Sequence, residues 1–330
     1  MSASAAGGMI FRTEELLPER WAHFAREGPV RAFNPGLLRA SDGWVFAYRI
    51  VGSDGLRRIG LCRLDDNLHV VAGSPRAFSD DVRFRAGHAY PEIATRWFAD
   101  PRLYRFRRRH FMYWNSGWHE PQNHQFIQEF DGTTLAPIGI VRELLLPAGR
   151  QKLEKNWTLF GEEPQSVHAV YSVLPHRVLA CSLAGDGDVV FAEAASIAWG
   201  LTDYPASHGG LRGGAPPQRV GDGYWSFCHT VHDGAAGYRY AASVYRFAAE
   251  SPFAPTHEPV NPLQLGPPLG EQRLYPRLNP AVAEVIYPCG AAHHDGRWWI
   301  SYGLNDEQCA IVTLEEAAVA GAVRPLARLG

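Results

Sequence analysis

The chain has 330 residues, of which 46% are hydrophobic, and a formal net charge of −2. Such a chain can bury a large core, and its near-neutral charge gives no general attraction to nucleic acid or to an anionic membrane. The five cysteines are odd in number and widely spaced, so we expect reduced thiols rather than a disulfide framework.

The N-terminus has no basic segment before a long apolar stretch, and no run of about 18 apolar residues occurs elsewhere. We therefore expect a cytoplasmic protein without a nucleic-acid or membrane partner. The first predicted element is a helix over residues 12–28, with Thr13 as its cap, Pro18 early and Gly28 at its end. Residues 1–30 are interpreted as an N-terminal extension.

After residue 30 the sequence repeats a pattern of paired strands. Five aromatic-rich strands, at residues 44–48, 111–114, 168–171, 224–227 and 298–302, each follow a short polar segment. Those segments are AFNPGLLR (32–39), ADPRLYRF (99–106), EKNWTLF (154–160), LRGGAPPQ (211–218) and VIYPCGAA (285–292). Asp-Gly dipeptides at 42–43, 222–223 and 295–296 favour tight antiparallel hairpins between the paired strands. Arg108-Arg109 and Pro164-Gln165 are the weaker turn signals of the other two pairs.

Dividing 330 residues by five copies gives about 66 per copy, roughly one four-stranded propeller blade with generous loops. The prediction is an all-β fold, a five-bladed β-propeller with a short N-terminal helical segment, forming one domain over residues 1–330. The blades are expected at roughly 31–95, 96–150, 151–205, 206–280 and 281–330. The first segment of each blade would line a central channel.

These channel segments are unusually polar for the innermost strands of a fold. They and the strands after them contribute Asn34, Arg39, Arg49, Asp100, Arg102, Asn115, Lys155, Asn156, His176, Arg177, Arg212, His229, Tyr302 and Asp306. A carboxylate among several cations is held ionised by opposite charge, whereas burial and a bound anion raise its pKa toward the range of acid catalysis. Asp100 is the candidate for that role.

The same segments resemble glycoside hydrolase family 130, the mannoside phosphorylases and mannosidases. The resemblance is carried, in order, by FNPGLLRASDGWVFAYR (33–49), ADPRLYRF, EKNWTLF, LRGGAPPQ with SFCHTV, and VIYPCGAAHHDGRWWISYGLND (285–306). In that family the Asp of a Glu-Asp-Pro-Arg motif is the catalytic acid, which corresponds to Asp100. Basic residues of neighbouring blades hold the attacking phosphate in the phosphorylases, and the resemblance implies Arg49, Lys155, Arg177 and His229 for that task.

Two departures place the chain in a divergent branch. Ala99 stands where the family motif has Glu, and EKNW stands where typical phosphorylases have a Lys-Asp pair. The resemblance implies an inverting phosphorylase of β-mannoside-like bonds, acting on a small oligosaccharide or glycoside, with inorganic phosphate as co-substrate and no other cofactor or metal. The expected substrate- or phosphate-binding residues are Asn34, Arg49, Arg102, Lys155, Asn156, Arg177, Arg212, His229, Tyr302 and Asp306.

Three alternatives stay open. An inverting hydrolase on the same scaffold needs a second carboxylate about 6.5–9.5 Å from the acid, and Glu154, Glu284 and Asp306 are the candidates. A glycan-binding propeller without catalysis is favoured by the departures from the family pattern. A nucleotide-sugar transferase is weaker, because no DxD-like carboxylate pair is placed to hold a metal. Trp118 and Trp157 are the expected sugar-stacking residues, and the sequence is compatible with a homo-oligomer.

Overall fold

The computed structural model describes residues 7–87, 90–117, 123–151, 154–202, 204, 208–235, 237–266 and 273–326. The protein is mostly β-sheet, and its helices are short. They are α1 (Thr13–Leu16), α2 (Phe24–Glu27), α3 (Glu92–Arg96) and α4 (Glu316–Ala320), with 3-10 turns at Glu19–Trp21 and Phe78–Asp81. Within the described ranges, no helix has the length and apolar composition that crossing a bilayer requires.

The predicted continuous helix over residues 12–28 is wrong. The segment forms α1, the 3-10 turn Glu19–Trp21 and α2, because Pro18 is extended (φ −58°, ψ 143°) and interrupts the helical path. Thr13 is the first helical residue rather than the cap, and the backbone N–H of Arg12 before it donates to Glu15 Oε2 at 3.4 Å. The pieces still bury Leu16, Trp21 and Phe24 in the core.

The strands are β1 (Gly8–Ile10), β2 (Arg31–Ala40), β3 (Gly43–Val51), β4 (Arg57–Leu64), β5 (Ala99–Phe106), β6 (Arg109–Asn115), β7 (Gln125–Phe130), β8 (Pro137–Leu145), β9 (Thr158–Glu163), β10 (Ser166–Ser172), β11 (His176–Cys181), β12 (Val189–Val190), β13 (Ala192–Ile197), β14 (Leu211–Arg212), β15 (Gln218–Val220), β16 (Gly223–Gly234), β17 (Gly237–Ala248), β18 (Pro255–Pro259), β19 (Val282–His294), β20 (Arg297–Leu304), β21 (Gln308–Glu315) and β22 (Val323–Pro325). Among the described residues they form four hydrogen-bonded sheets. Three have the orders β2-β3-β4, β12-β8-β7-β6-β5 and β13-β11-β10-β9, and the fourth has ten strands.

The ten-stranded sheet contains two antiparallel runs. In one, β14 and β15 pair with β16, followed by β17 and β18; in the other, β19, β20 and β21 pair in order, with β1 at the outer edge. A short parallel pairing of β17 with β19 joins the two runs. The N-terminal segment therefore pairs with the last long strand of the chain.

All five predicted hairpins are confirmed. Two-residue loops connect β2 to β3, β5 to β6, β9 to β10, β15 to β16 and β19 to β20. The second strand of each hairpin alternates between two buried faces, as β3 shows: Trp44 and Phe46 pack in the cluster that contains Ile311 of β21, whereas Val45 packs in the cluster that contains Trp114 of β6. Each such sheet is thus covered on both faces by its neighbours.

The first strands of three hairpins, β2, β5 and β19, approach one another closely. A Cβ on Gly36 of β2 would lie 2.9 Å from the backbone oxygen of Pro101 in β5, and a Cβ on Gly290 of β19 would lie 2.3 Å from the backbone nitrogen of Leu37. Glycine at these two positions lets the backbones pack without an intervening side chain. Polar side chains at the ends of these strands are thereby brought together.

Candidate functional site

Three residues near the starts of hairpin strands are Asn or Asp in a left-handed backbone conformation. Asn34 (φ 53°), Asp100 (φ 52°) and Asn156 (φ 67°) stand within or just before the first strand of their hairpins. The register shifts between Phe33 and Gly36 and between Ala99 and Arg102 mark β-bulges at the first two. Asn and Asp tolerate this region better than other non-glycine residues, and the bulges re-aim their side chains.

These strand ends surround a cavity of about 150 Å³. Its lining residues come from strands of three sheets and from segments beside them, including the segment that leads into β9 of the fourth sheet. They are Asn34, Arg49, Asp100, Lys155, Asn156, Arg212, His229, Tyr240, Asn279, Val282, Val285, Tyr287 and Asp306. Eight of the eleven predicted site residues are among them. The cavity is smaller than the roughly 300–1,000 Å³ typical of drug-sized ligands, which suits one sugar ring or a small anion.

Asp100 is held as a carboxylate by its neighbours. Its Oδ1 accepts a hydrogen bond from Asn34 Nδ2 at 2.8 Å and lies 3.4 Å from Arg49 Nη1. Burial alone would raise the pKa of Asp100, but the charges of Arg49, Arg102 and Lys155 and the Asn34 hydrogen bond outweigh it, so the pKa is lowered.

Asp306 is the second carboxyl group of the cavity, and its environment acts in the opposite direction. Burial raises its pKa, and the negative charge of Asp100 adds to this effect, while Arg49 opposes it. Arg49 Nη2 lies 3.8 Å from Asp306 Oδ1. Arg49 therefore stands between two carboxyl groups whose pKa values are moved apart, an arrangement typical of acid–base sites.

Two cations and a neutral histidine form another wall. Burial lowers the pKa of Lys155, as do the charges of Arg212 and Arg49. Burial also lowers the pKa of His229 to about 3, with Arg212 and Lys155 adding to the effect, so the ring is neutral at pH 7. His229 Nδ1 is buried without a hydrogen-bond partner in the structure. This wall therefore carries two positive charges and one buried ring nitrogen, His229 Nδ1, that has no hydrogen-bond partner.

Arg102 does not line the cavity but lies beneath it, fully buried. Its Nε donates to the Gly214 backbone oxygen at 2.6 Å, and its Nη2 donates to Tyr287 Oη at 2.8 Å. Tyr287 Oη in turn donates to Asn156 Oδ1 at 2.8 Å. The prediction of Arg102 as a ligand-contacting residue is corrected here: its charge acts on Asp100, and its hydrogen bonds fix Tyr287 and Asn156.

Two further predicted residues lie away from the cavity. Arg177 pairs with Glu193 of the neighbouring strand at 2.8 Å, and 37% of its side chain is exposed. Tyr302 is 5% exposed and packs in the apolar core with Ile300 and Leu304. Register explains the position of Tyr302, because alternation along β20 places it on the core face. Arg177 lies opposite Ser196 of β13, the strand that also carries Glu193.

Of the three candidate second carboxylates, only Asp306 lines the cavity. Glu154 is 5% exposed, and its Oε2 accepts from the Gln151 backbone N–H at 3.2 Å. Trp157 is 1% exposed and belongs to the core rather than to a sugar-binding surface. Trp118 lies outside the described residues.

Five lining residues were missed by the sequence analysis: Tyr240, Asn279, Val282, Val285 and Tyr287. Val285 and Tyr287 are two apart on β19, so period-2 alternation places both on one face. That signal was available within the VIYPCGAA segment. Tyr240 has no local signal, because it reaches the cavity on the long hairpin of β16 and β17, where it pairs with Val231.

No protein-family model matches the sequence, and comparison with curated proteins gives no match. Solved structures do resemble it. A β-1,2-mannobiose phosphorylase from Listeria innocua has a TM-score of 0.60 at 12% identity, covering 96% of this chain and 99% of that chain. A structure of the GH130 family of mannoside phosphorylases, which contains glycoside hydrolases that target β-1,2 mannosidic linkages in Candida mannan, has a TM-score of 0.58 at 14% identity, covering 87% and 85%.

A mannose phosphorylase from Leishmania mexicana in complex with phosphate ion has a TM-score of 0.52 at 9% identity, covering 91% of this chain and 88% of that chain. At these identities the likeness shows the fold. The predicted resemblance to glycoside hydrolase family 130 is confirmed at that level.

Proposed function

We propose that the protein is a carbohydrate-active enzyme that cleaves or forms β-mannoside-like bonds, and that it works as an inverting glycoside phosphorylase with Asp100 as general acid. We further propose that its sheets form a single five-bladed propeller domain with the blade limits given above. The observation that carries the proposal is Asp100 in one cavity with Arg49, Lys155 and Arg212. The likeness in fold to mannoside phosphorylases supports it.

The charges of the cavity suit phosphate as the nucleophile. An inverting displacement needs a proton donor for the leaving oxygen and a nucleophile on the opposite ring face. Phosphate arrives as an anion and needs no general base, but it needs cations and donors to hold it in line. In the proposed step, a phosphate oxygen bonds to the anomeric carbon and the glycosidic C–O bond breaks. Dihydrogen phosphate and the glycoside thus give a sugar 1-phosphate and an alcohol.

The lowered pKa of Asp100 is compatible with this role only if binding changes it. Asp100 is ionised in the empty site because Arg49, Arg102 and Lys155 lower its pKa. A bound phosphate offsets these cations, so the burial effect then dominates and the pKa rises. We propose that phosphate binding thereby favours the protonated form of Asp100, which delivers the proton to the leaving oxygen.

Hydrolysis is the second candidate function, and Asp306 favours it. A carboxylate with a raised pKa is a stronger base, and Asp306 shares the cavity with Asp100. It would activate a water molecule for attack on the ring face opposite the acid.

The test is turnover of a panel of β-linked mannose disaccharides with and without inorganic phosphate, with sugar 1-phosphate and free sugar measured separately. We expect sugar 1-phosphate that depends on phosphate. Release of free sugar without phosphate would replace the phosphorylase assignment by the hydrolase. Sugar binding that persists in Asp100→Ala, without turnover by the wild type, would leave a glycan-binding protein.

A further inference from the structure

The proposed reaction needs a sugar ring and a phosphate in one small space. The cavity that contains Asp100 has a volume of about 150 Å³, so a sugar ring bound beside Asp100 leaves little room for phosphate to pass it. A second cavity of about 420 Å³ adjoins the first, and Lys155, Asn156 and Arg212 form a wall shared by both. The two cations of this shared wall can therefore be reached from a side that Asp100 does not line.

The second cavity has the charge that attracts an inorganic anion. Among the described residues that line it, Lys155 and Arg212 are the charged ones, and neither Asp100 nor Asp306 of the first cavity contributes to it. Arg212 is exposed at the end of β14, so solvent reaches its side chain. Cations without an opposing carboxylate raise the local concentration of anions and speed their association. Phosphate that approaches from this side passes no lining carboxylate, whereas phosphate that approaches through the first cavity passes two carboxyl groups.

The rest of the lining offers a passage and little that would retain an anion. Ser172 and Leu174 come from the β10–β11 hairpin, and Gly210 comes from the segment before β14. The Ser172 hydroxyl is already used, because it donates to the Pro175 backbone oxygen at 2.7 Å. Gly210 is exposed, and a Cβ there would have no atom within 4 Å. The charged groups that hold an anion are thus concentrated on the shared wall.

We propose that the second cavity is the entrance for phosphate, which passes through it to Lys155 and Arg212 while a sugar occupies the cavity with Asp100. This inference rests on the proposed function, since it gives the path of that reaction's co-substrate. In the inverting step, phosphate attacks the ring face opposite the leaving oxygen. Asp100 protonates that oxygen, so the phosphate lies on the side of the shared wall. Phosphate can then bind and leave without release of the sugar, and the two ligands bind in either order.

The closing experiment obstructs the second cavity and measures phosphate exchange on the full-length protein by phosphorus NMR, with and without saturating mannose. Gly210→Phe adds a ring at a position that has open space and no left-handed φ, and Ser172→Phe adds one from the β10–β11 hairpin. With mannose present, we expect these variants to slow association and dissociation of phosphate by the same factor, about tenfold. Because the side chains that bind phosphate are unchanged, the Kd for phosphate should stay constant.

Gly200 provides a matched control. It is also an exposed loop glycine with open space at its Cβ position and no left-handed φ, and it lines neither cavity. Gly200→Phe should leave phosphate exchange unchanged. In steady-state assays, Gly210→Phe should lower kcat/KM for phosphate about tenfold, with kcat/KM for a β-mannose disaccharide at saturating phosphate unchanged. Unchanged exchange in both cavity variants, a changed Kd with only one of the two rates altered, or wild-type exchange that mannose abolishes would each overturn the entrance.

The exchange measurement separates this inference from the proposed function, because it needs no turnover. If the wild type cleaves no glycoside but Gly210→Phe slows its phosphate exchange at constant Kd, the enzymatic proposal fails and the entrance stands. If the wild type shows phosphate-dependent turnover and Gly210→Phe alters neither exchange nor kcat/KM for phosphate, the entrance fails and the proposed function stands. A wild type that binds no phosphate would overturn both the entrance and the phosphorylase.

Discussion

Two buried clusters of charge in this protein have opposite characters. Around Glu143 of β8, every carboxylate oxygen is occupied: Oε1 is 2.7 Å from His124 Nδ1 and 2.6 Å from Arg150 Nε, and Oε2 is 2.7 Å from Arg150 Nη2. Asp306 is held less closely, because its ion pair with Arg49 has a distance of 3.8 Å. Near it, Asn34 Oδ1, Arg49 Nε and His229 Nδ1 are buried without hydrogen-bond partners.

The satisfied Glu143 cluster contributes to stability, whereas the unsatisfied polar groups of the cavity are available to a ligand. Burial raises the pKa of Glu143, but Arg150 and His124 outweigh it and lower the pKa, so the ionised cluster stabilises the fold. The cavity around Asp100 and Asp306 leaves buried polar groups unsatisfied, which costs free energy unless a ligand supplies their partners. Substitutions in the two clusters should therefore affect different measurements.

The largest expected effect is on turnover. Asp100→Asn removes the proposed proton donor and should reduce kcat by roughly 10²–10⁴-fold. Because the pKa of Asp100 is lowered, its ionised form stabilises the folded state, so the variant should also have a modestly lower free energy of unfolding at pH 7. Initial rates of phosphorolysis and urea unfolding curves measure the two quantities. Full activity in this variant would eliminate Asp100 as the acid.

The second effect is on stability. Glu143→Ala leaves Arg150 and His124 without their buried partner and should lower the free energy of unfolding by about 3–5 kcal/mol. Glu129→Ala is the control, because the Arg109–Glu129 pair is partly exposed, with 34% and 24% of the two side chains accessible, and should cost less than about 1 kcal/mol. Both variants are measured by urea unfolding. Similar losses of unfolding free energy would contradict the difference expected between the buried Glu143 cluster and the partly exposed Arg109–Glu129 pair.

The third effect is loss of stability in acid through His176. This ring is buried against Tyr245 and Phe247, and burial lowers its pKa to about 4. The unfolded chain therefore binds a proton near pH 6.5 that the folded chain binds only near pH 4, so stability falls as the pH drops through this window, by on the order of 3 kcal/mol. His176→Phe should flatten the dependence in urea unfolding between these pH values, whereas His69→Gln, with 70% of the side chain exposed, should not.

The smallest effect concerns Asp306. Because its pKa is raised, ionising it disfavours the folded state above its usual pKa. Asp306→Asn should therefore leave the protein as stable at pH 7, or more stable by up to about 1 kcal/mol, with the gain vanishing in acid. Urea unfolding at pH 7 and in acid checks this prediction. A marked destabilisation at pH 7 would show that Asp306 is paired like Glu143. Loss of phosphate-independent hydrolysis in the same variant would identify Asp306 as the base.

The sequence predicted the hairpins and most of the cavity because both depend on local pattern. Turn dipeptides and alternating aromatics define the paired strands, and Asn34, Asp100 and Asn156 stand at similar places in the first segments. Arg177 and Tyr302 were misplaced because strand register decides which face a side chain occupies. Tyr302 lies opposite Pro288 and Ala310, and Arg177 lies opposite Ser172 and Ser196. Tyr240 was missed for the same reason, whereas Asn279 lies in the loop before β19, where no strand pattern applies.

The hydrogen bond between Asn34 and Asp100 joins corresponding positions in β2 and β5, the first strands of two hairpins. Each of the two residues is followed by proline and lies at a bulge. The two side chains differ only by an amide in place of an acid. In the proposed mechanism, the copy that carries the carboxyl group decides from which side of the cavity the proton is delivered. The paired exchange Asn34→Asp with Asp100→Asn would move the proposed acid from β5 to β2 while preserving the amino-acid composition, and with it the side from which the leaving oxygen is protonated.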